Sequence, residues 1–171
     1  MSNNRYIPLY FKKELVDLAC VDVEDYAYLK QFRWRLMICS SAGLKYAERC
    51  LYISGDRIHI LMHNAVMQRV LDRAIVKPEQ VDHRDRDGLN NTRGNLRVAT
   101  VSQNQCNKIK NNGSCLYKGV AKFHNRYRAR IAKDGITYYL GVYDDQEEAA
   151  KAYDRAAQRI HGEFAVLNFP K

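Results

Sequence analysis

Asp82 and His83 stand side by side in this chain, followed by Asn95 and then Asn104. Each of these residue types has a use. Aspartate offers a hard oxygen ligand. Imidazole, with an unperturbed pKa of about 6.5, accepts a proton at neutral pH. Asn104 offers a second oxygen ligand, and Asn95 is spaced to pin a polar loop through side-chain-to-backbone hydrogen bonds. Hydrolysis of a phosphodiester needs such a set. A base activates water, a cation polarises the phosphate and stabilises the leaving oxygen, and ligands hold the cation in place. Oxygen-only ligation by Asp82 and Asn104 suits Mg2+ or Mn2+ rather than zinc.

The elements around these residues must bring them together. The segment 81–97 is dense in Asp, Asn, Arg and Gly, a composition that ordinarily marks a surface loop. It is bracketed by short apolar strands at Gln80-Val81 and at residues 96–99. Thr100 and Gln103 fit a capping box, which predicts a helix from about Val101 to Ile109. Upstream, residues 6–12 read as extended. Asp22 opens a helix with Glu24 and Asp25 in its first turn, where the positive helix end favours them. Tyr26, Leu29 and Phe32 fall on one face of it. A strand-like stretch runs from Trp34 to Met37, with a turn at residues 40–43. Residues 44–53 and 57–62 form a hairpin closed by Ser54-Gly55-Asp56. His63 begins a helix that runs through Leu71. It either supports the Asp82-His83 site or touches phosphate.

Beyond a linker at Asn111-Asn112-Gly113-Ser114, three β-like runs follow, at 117–123, 127–132 and 137–143. His124-Asn125 and Asp134-Gly135 supply their tight turns. Asp144 and Glu147 start a helix on which Ala149, Ala152, Tyr153, Ala156 and Ile160 recur at helical spacing, and Gly162 ends it. This predicts a three-stranded antiparallel sheet packed on one helix, closed at the bottom by Leu167 and Phe169. Alternation puts Arg126, Arg128 and Arg130 on one sheet face. Arginine bonds guanine bidentately, so such a face can read sequence.

Composition narrows the class. The net charge of +9 suits a nucleic-acid binder. Residues 1–81, 82–114 and 115–171 each carry +3, from 12 basic and 9 acidic, 6 and 3, and 10 and 7 side chains respectively. That spread suits an extended binder better than a basic tail. The five cysteines, Cys20, Cys39, Cys50, Cys106 and Cys115, contain no Cys-x-x-Cys pair, so neither a disulfide framework nor a structural zinc site is indicated. No run approaches the roughly 18 apolar residues of a membrane span. The N-terminus has no apolar signal stretch, so the expected location is the cytoplasm, with no membrane association.

Val81-Asp82-His83-Arg84-Asp85, Leu89-Asn90-Asn91, residues 95–100 (Asn-Leu-Arg-Val-Ala-Thr) and Gln103-Asn104 resemble the HNH endonucleases, in particular homing endonucleases of phage and intron origin. Ile7-Pro8-Leu9, residues 21–26, Phe32-Arg33-Trp34 and Met62-His63 resemble the N-terminal half of the same family. The resemblance implies a ββα-metal module at about 80–110. In it His83 is the general base, Asp82 and Asn104 are the metal ligands, and Asn95 is the central asparagine that stabilises the loop. The last letter of the motif is Asn104 here rather than His.

Residues 117–169 resemble the APETALA/ethylene-response DNA-binding domain. The resemblance rests on Tyr117-Lys118-Gly119-Val120, residues 139–143, residues 147–154 and Leu167-Asn168-Phe169-Pro170. It implies that the sheet lies in the major groove and that Lys118, Lys122, Arg126, Tyr127, Arg128, Arg130 and Tyr139 contact DNA. Ala121 and Ala132 stand where the plant domains often carry Arg, so the plant target sequence does not transfer.

The expected architecture is α+β. A mixed N-terminal segment leads into the metal module within residues 1–110, 111–116 link, and 117–171 form the DNA-binding domain. The expected activity is cleavage of duplex DNA at a long, loosely read site by a monomer using Mg2+ or Mn2+. The alternatives are a DNA-binding regulator with an inactive nuclease module, and an RNA-directed protein whose sheet aromatics stack on bases.

Overall fold

The computed structural model describes residues 3–39, 43–107 and 115–170. The linker expected at residues 111–114 and most of the turn expected at 40–43 lie outside these, and the helix expected to reach Ile109 ends earlier, at Cys106. The chain divides into two compact units, Met1–Ala99 and Thr100–Lys171.

In the first unit, β1 (Asn4–Phe11) and β2 (Glu14–Asp22) form an antiparallel pair. The short helix α1 (Val23–Leu29) leads to β3 (Trp34–Cys39), and β4 (Leu44–Ile53) and β5 (Asp56–Leu61) make the expected hairpin. These strands form one sheet in the order β2-β1-β3-β4-β5, with β1 and β3 parallel at Leu9 opposite Trp34. Helix α2 (Met62–Leu71) follows, then β6 (Gln80–His83) and β7 (Leu96–Ala99), which pair only with each other among the described strands. One apolar cluster joins all of this. Ile7, Leu9, Val21, Leu29, Trp34, Met62 and Val66 are almost wholly buried, and Val81, Leu89 and Leu96 extend the cluster to the polar segment. The Trp34 indole cannot be buried without a partner for its N–H, and it donates to the Leu29 carbonyl at 2.9 Å. Tyr26 and Phe32 pack against the same cluster, although Phe32 lies past the end of α1.

Strand β2 has no counterpart in the sequence reading. Its Leu15, Val16 and Leu18 are exposed, so the alternation that marks a half-buried strand is missing.

The second unit opens with α3 (Val101–Cys106), whose capping box is formed as expected. The Gln103 N–H donates to Thr100 Oγ1 at 3.2 Å, and the Thr100 N–H donates to Gln103 Oε1 at 2.8 Å. Strands β8 (Val120–Phe123), β9 (Arg126–Lys133) and β10 (Ile136–Tyr143) form an antiparallel sheet in the order β10-β9-β8. Helix α4 (Gln146–His161) packs on it through buried Ala149, Ala150, Ala152, Tyr153, Ala156 and Ala157. Its N-cap is Asp145, whose carboxylate accepts from the N–H groups of Glu147 and Glu148. The neighbouring Asp144 instead pairs with Arg126. Gly119 lies against the helix with φ +77°, and a Cβ there would sit 1.9 Å from Tyr153 Cδ2. Buried Asp154 ties the C-terminal segment down by accepting from the Asn168 and Phe169 N–H groups.

Candidate functional site

The pairing of β6 with β7 sets Asp82 opposite Arg97 and His83 opposite Leu96. Asp82 and Arg97 are both buried, and Asp82 Oδ2 accepts from Arg97 Nε at 2.9 Å and stands 2.8 Å from its Nη2. A carboxylate stays charged out of water only with such a partner. His83 is 6% exposed and its Nε2 lies 3.4 Å from Asn91 Oδ1. The Asn91 amide nitrogen faces the Gly88 carbonyl, so Asn91 Oδ1 is the acceptor. Burial pushes the His83 pKa down. The Asn91 bond and the charges of Asp85, Asp82 and Asp87 resist it, and the net shift is downward.

His63 and Tyr46 enclose the ring. The His63 and His83 centroids are 4.9 Å apart, and Tyr46 stands 5.8 Å from His63 and 6.1 Å from His83. His63 is buried and its pKa is pushed down to about 3, mainly by desolvation and then by the charge of His83. His63, expected either to support the site or to touch phosphate, packs edge to face against the His83 ring.

The polar segment between the strands is held by its own side chains. Asn95 Oδ1 accepts from the Asp85 N–H at 3.0 Å, and its Nδ2 donates to Asp85 Oδ1 and to the Asn90 carbonyl, each at 2.8 Å. These bonds match the loop-pinning expected of Asn95. Asp85 also accepts from the Asp87 N–H and from Asn90 Nδ2, and Asp87 accepts from the Leu89 N–H. The segment is anchored to the N-terminal strands as well. Cys20 N–H donates to Leu89 O and Asn91 N–H to Cys20 O, both at 2.8 Å. Arg93 bonds Asp22 through its backbone N–H and buried Asp25 through its guanidinium. Gly88 makes the fit possible, because a Cβ there would meet the Lys45 carbonyl at 2.2 Å and the Tyr46 ring at 2.6 Å. Tyr46, Asn91, Asp25 and Arg97 make contacts around Asp82, His83 and the polar segment that the sequence reading did not assign.

Asn104 lies on α3 in the second unit, where its N–H donates to the Thr100 carbonyl. In the same unit, β9 pairing fixes which way each basic side chain points. Arg126 is opposite Phe123, Arg128 is opposite Ala121 and Val142, and Arg130 is opposite Tyr139. These share one face, while Ala129 and Ile131 are buried on the other. Lys122 and Tyr127 are opposite each other and alternate away from the arginine face. Arg130 and Tyr139 are exposed. The Arg128 guanidinium lies over Phe123 at 5.1 Å and Tyr139 at 5.8 Å, and its Nε has no hydrogen-bond partner. Arg126 is engaged with Asp144 at 2.6 Å. Lys118 Nζ donates to the Cys106 carbonyl at 2.5 Å, so its ammonium is turned toward α3.

Over 151 residues, the chain is 31% identical to an HNH endonuclease of Acanthamoeba polyphaga mimivirus, covering 88% of this chain and 74% of that protein. The chain belongs to the HNH endonuclease family. It is also 51% identical over 61 residues to an ethylene-responsive transcription factor of Arabidopsis thaliana, and 44% identical over 61 residues to an AP2-like factor of the same plant. Those matches cover 33% of this chain but only 14% and 11% of the plant proteins. No family model matches. A carboxylate such as that of Asp82 and a carboxamide oxygen such as that of Asn104 are each donors of the kind that Mg2+ or Mn2+ accepts. The Arg97 bonds to Asp82 are the kind of support that ligating carboxylates ordinarily have.

Proposed function

We propose that this chain is a metal-dependent HNH endonuclease of the homing type that hydrolyses phosphodiester bonds in duplex DNA. The observation that carries this reading is the buried His83, held by Asn91 beside the Arg97-paired Asp82. A general base works only in its neutral form, and burial shifts the His83 pKa downward, in favour of that form. In this reading His83 takes the proton of the attacking water. Asp82 and Asn104 supply oxygen ligands for Mg2+ or Mn2+, which when bound polarises the phosphate and stabilises the leaving oxygen. Asn95 keeps the polar segment in place.

The plant-type likeness falls, in this reading, on residues 117–171, where Arg126, Arg128, Arg130 and Tyr139 form the DNA-facing side of the sheet. Residues 1–110 then form the nuclease and 111–116 the connection, acting as a monomer in the cytoplasm. A DNA-binding regulator is the second reading, and the transcription-factor likeness favours it.

A plasmid-nicking assay with Mg2+ separates the two. Cleavage that His83→Ala lowers by about 10²–10⁴, the usual contribution of a general base, with duplex affinity unchanged, is the expected result. Binding without cleavage in the wild type, with either metal, would establish the regulator instead.

A further inference from the structure

We propose that Glu48, Cys50 and His59 form a binding site for a zinc-class divalent metal ion, separate from Asp82 and His83. Glu48 and Cys50 are two residues apart on β4 and so share a face, and the β4–β5 register sets His59 directly opposite Cys50. The strand pair thus gathers one oxygen, one sulfur and one nitrogen donor without any Cys-x-x-Cys motif. His59 Nδ1 lies 2.8 Å from Glu48 Oε2 and 3.9 Å from Cys50 Sγ. All three ligand atoms lie within 4.8 Å of one another. With metal–sulfur bonds of about 2.3 Å and metal–nitrogen or –oxygen bonds of about 2.0–2.1 Å, tetrahedral ligands stand roughly 3.3–3.6 Å apart. The two His59 separations lie within about half an ångström of that geometry, and the Glu48–Cys50 separation closes by at most about 1.2 Å to reach it.

The donor types select the ion. Thiolate and imidazole favour Zn2+ or Co2+ over the Mg2+ that the Asp82 and Asn104 oxygens suit. The surroundings fit as well. Arg35 grips Glu48 Oε1 and leaves Oε2 turned to His59, so the carboxylate is aimed before any ion arrives. His59 is half exposed, which leaves a fourth position to water. Arg57 now stands over the sulfur, with Nε at 3.3 Å and Nη2 at 3.4 Å. It is exposed, so an incoming ion displaces it at little steric cost. Binding forms bonds to Sγ, Nδ1 and Oε2 and releases to solvent the thiol proton and any proton on Nδ1. No oxidant or reductant is involved. The loaded site clips β4 to β5 two residues from Tyr46, whose ring borders His83.

The test is a Co2+ titration of the metal-free full-length chain, followed by visible absorption. One equivalent should produce the intense bands of tetrahedral cobalt with a thiolate-to-cobalt charge-transfer band, and Zn2+ should bleach both. Cys50→Ser should abolish the charge-transfer band, and His59→Ala should weaken binding at least tenfold. Asp82→Ala should leave the spectrum as it is. Because both Cys50 and His59 lie outside the buried core, circular dichroism of the two variants should match the parent. If either variant misfolds, protection of Cys50 from alkylation by one equivalent of Zn2+ in the parent chain decides the matter. Absence of the charge-transfer band, its survival in folded Cys50→Ser, or no zinc protection of Cys50 overturns the site.

Discussion

The imidazoles of His63 and His83 meet edge to face, their centroids 4.9 Å apart at an interplanar angle of 89°. Burial pushes both pKa values down, that of His63 to about 3. In the unfolded chain each histidine titrates near about 6.5. Between the folded and unfolded values the unfolded chain binds more protons, so acidification favours unfolding there. The histidine contribution to stability is therefore complete above about pH 6.5 and falls as pH drops toward the folded values. The urea midpoint of the first unit should decline over that window. His63→Gln should make the decline shallower, and an unchanged slope would remove His63 from this account.

Asn95→Ala takes three hydrogen bonds from the polar segment and leaves the Asp85 and Asn90 backbone groups to find other partners. Leaving such groups unsatisfied costs about 1–3 kcal/mol. Cleavage should fall with stability. Asn95→Asp should fare no better, because it sets a second carboxylate where Nδ2 now donates to Asp85 Oδ1. Full activity and parental melting in Asn95→Asp would show that the pinning is dispensable.

Gly88→Ala tests how closely the segment must approach β4. The new Cβ would meet a backbone oxygen at 2.2 Å, which cannot swing aside as a side-chain tip would. Overpacking of this kind costs about 1–3 kcal/mol. Loss of stability should come with displaced Tyr46 and altered His83 chemical shifts. A variant as stable as the parent with unmoved His83 resonances would contradict the packing described.

On the sheet of the second unit, Arg130→Ala and Tyr139→Ala should each weaken duplex binding, and Arg130→Ala should also flatten its salt dependence by about one phosphate contact. Lys122→Ala should do less, because Lys122 alternates to the opposite face. Equal losses at Arg130 and Lys122, measured across a salt series, would mean that the arginine face is not the one that meets DNA.

What was legible in the sequence was whatever is decided locally. Thr100 and Gln103 form their capping box because each supplies the other's missing bond within one turn. Asp134 and Gly135 both have positive φ, as a two-residue hairpin requires. The alanine spacing of α4 is a packing pattern and reads as one. Asp144 was one residue off as the helix cap, since either acid satisfies the composition and only the backbone path chooses Asp145. What was illegible depends on partners far along the chain. The parallel pairing of β1 with β3, the burial of Asp25 under Arg69 and Arg93, and the meeting of Glu48, Cys50 and His59 follow from register and topology. No local pattern encodes them. At the candidate site, Asp82, His83 and Asn95 were legible by type, while Tyr46, Asn91 and the pairing of Asp82 with Arg97 were not.

The bonds from Cys20 and Asp22 to the segment around Leu89–Arg93 close a loop of about 70 residues, an entropic cost of roughly 4 kcal/mol. The order of this segment is therefore expected to depend on the β1–β2 pair, and the HNH residues are not expected to keep it as an isolated cassette. A fragment clipped between β1 and β2 is expected to keep every motif residue and lose the order of the segment that carries them. Hydrogen exchange at the Leu89 N–H and Asn91 N–H, before and after such a clip, would report that loss directly.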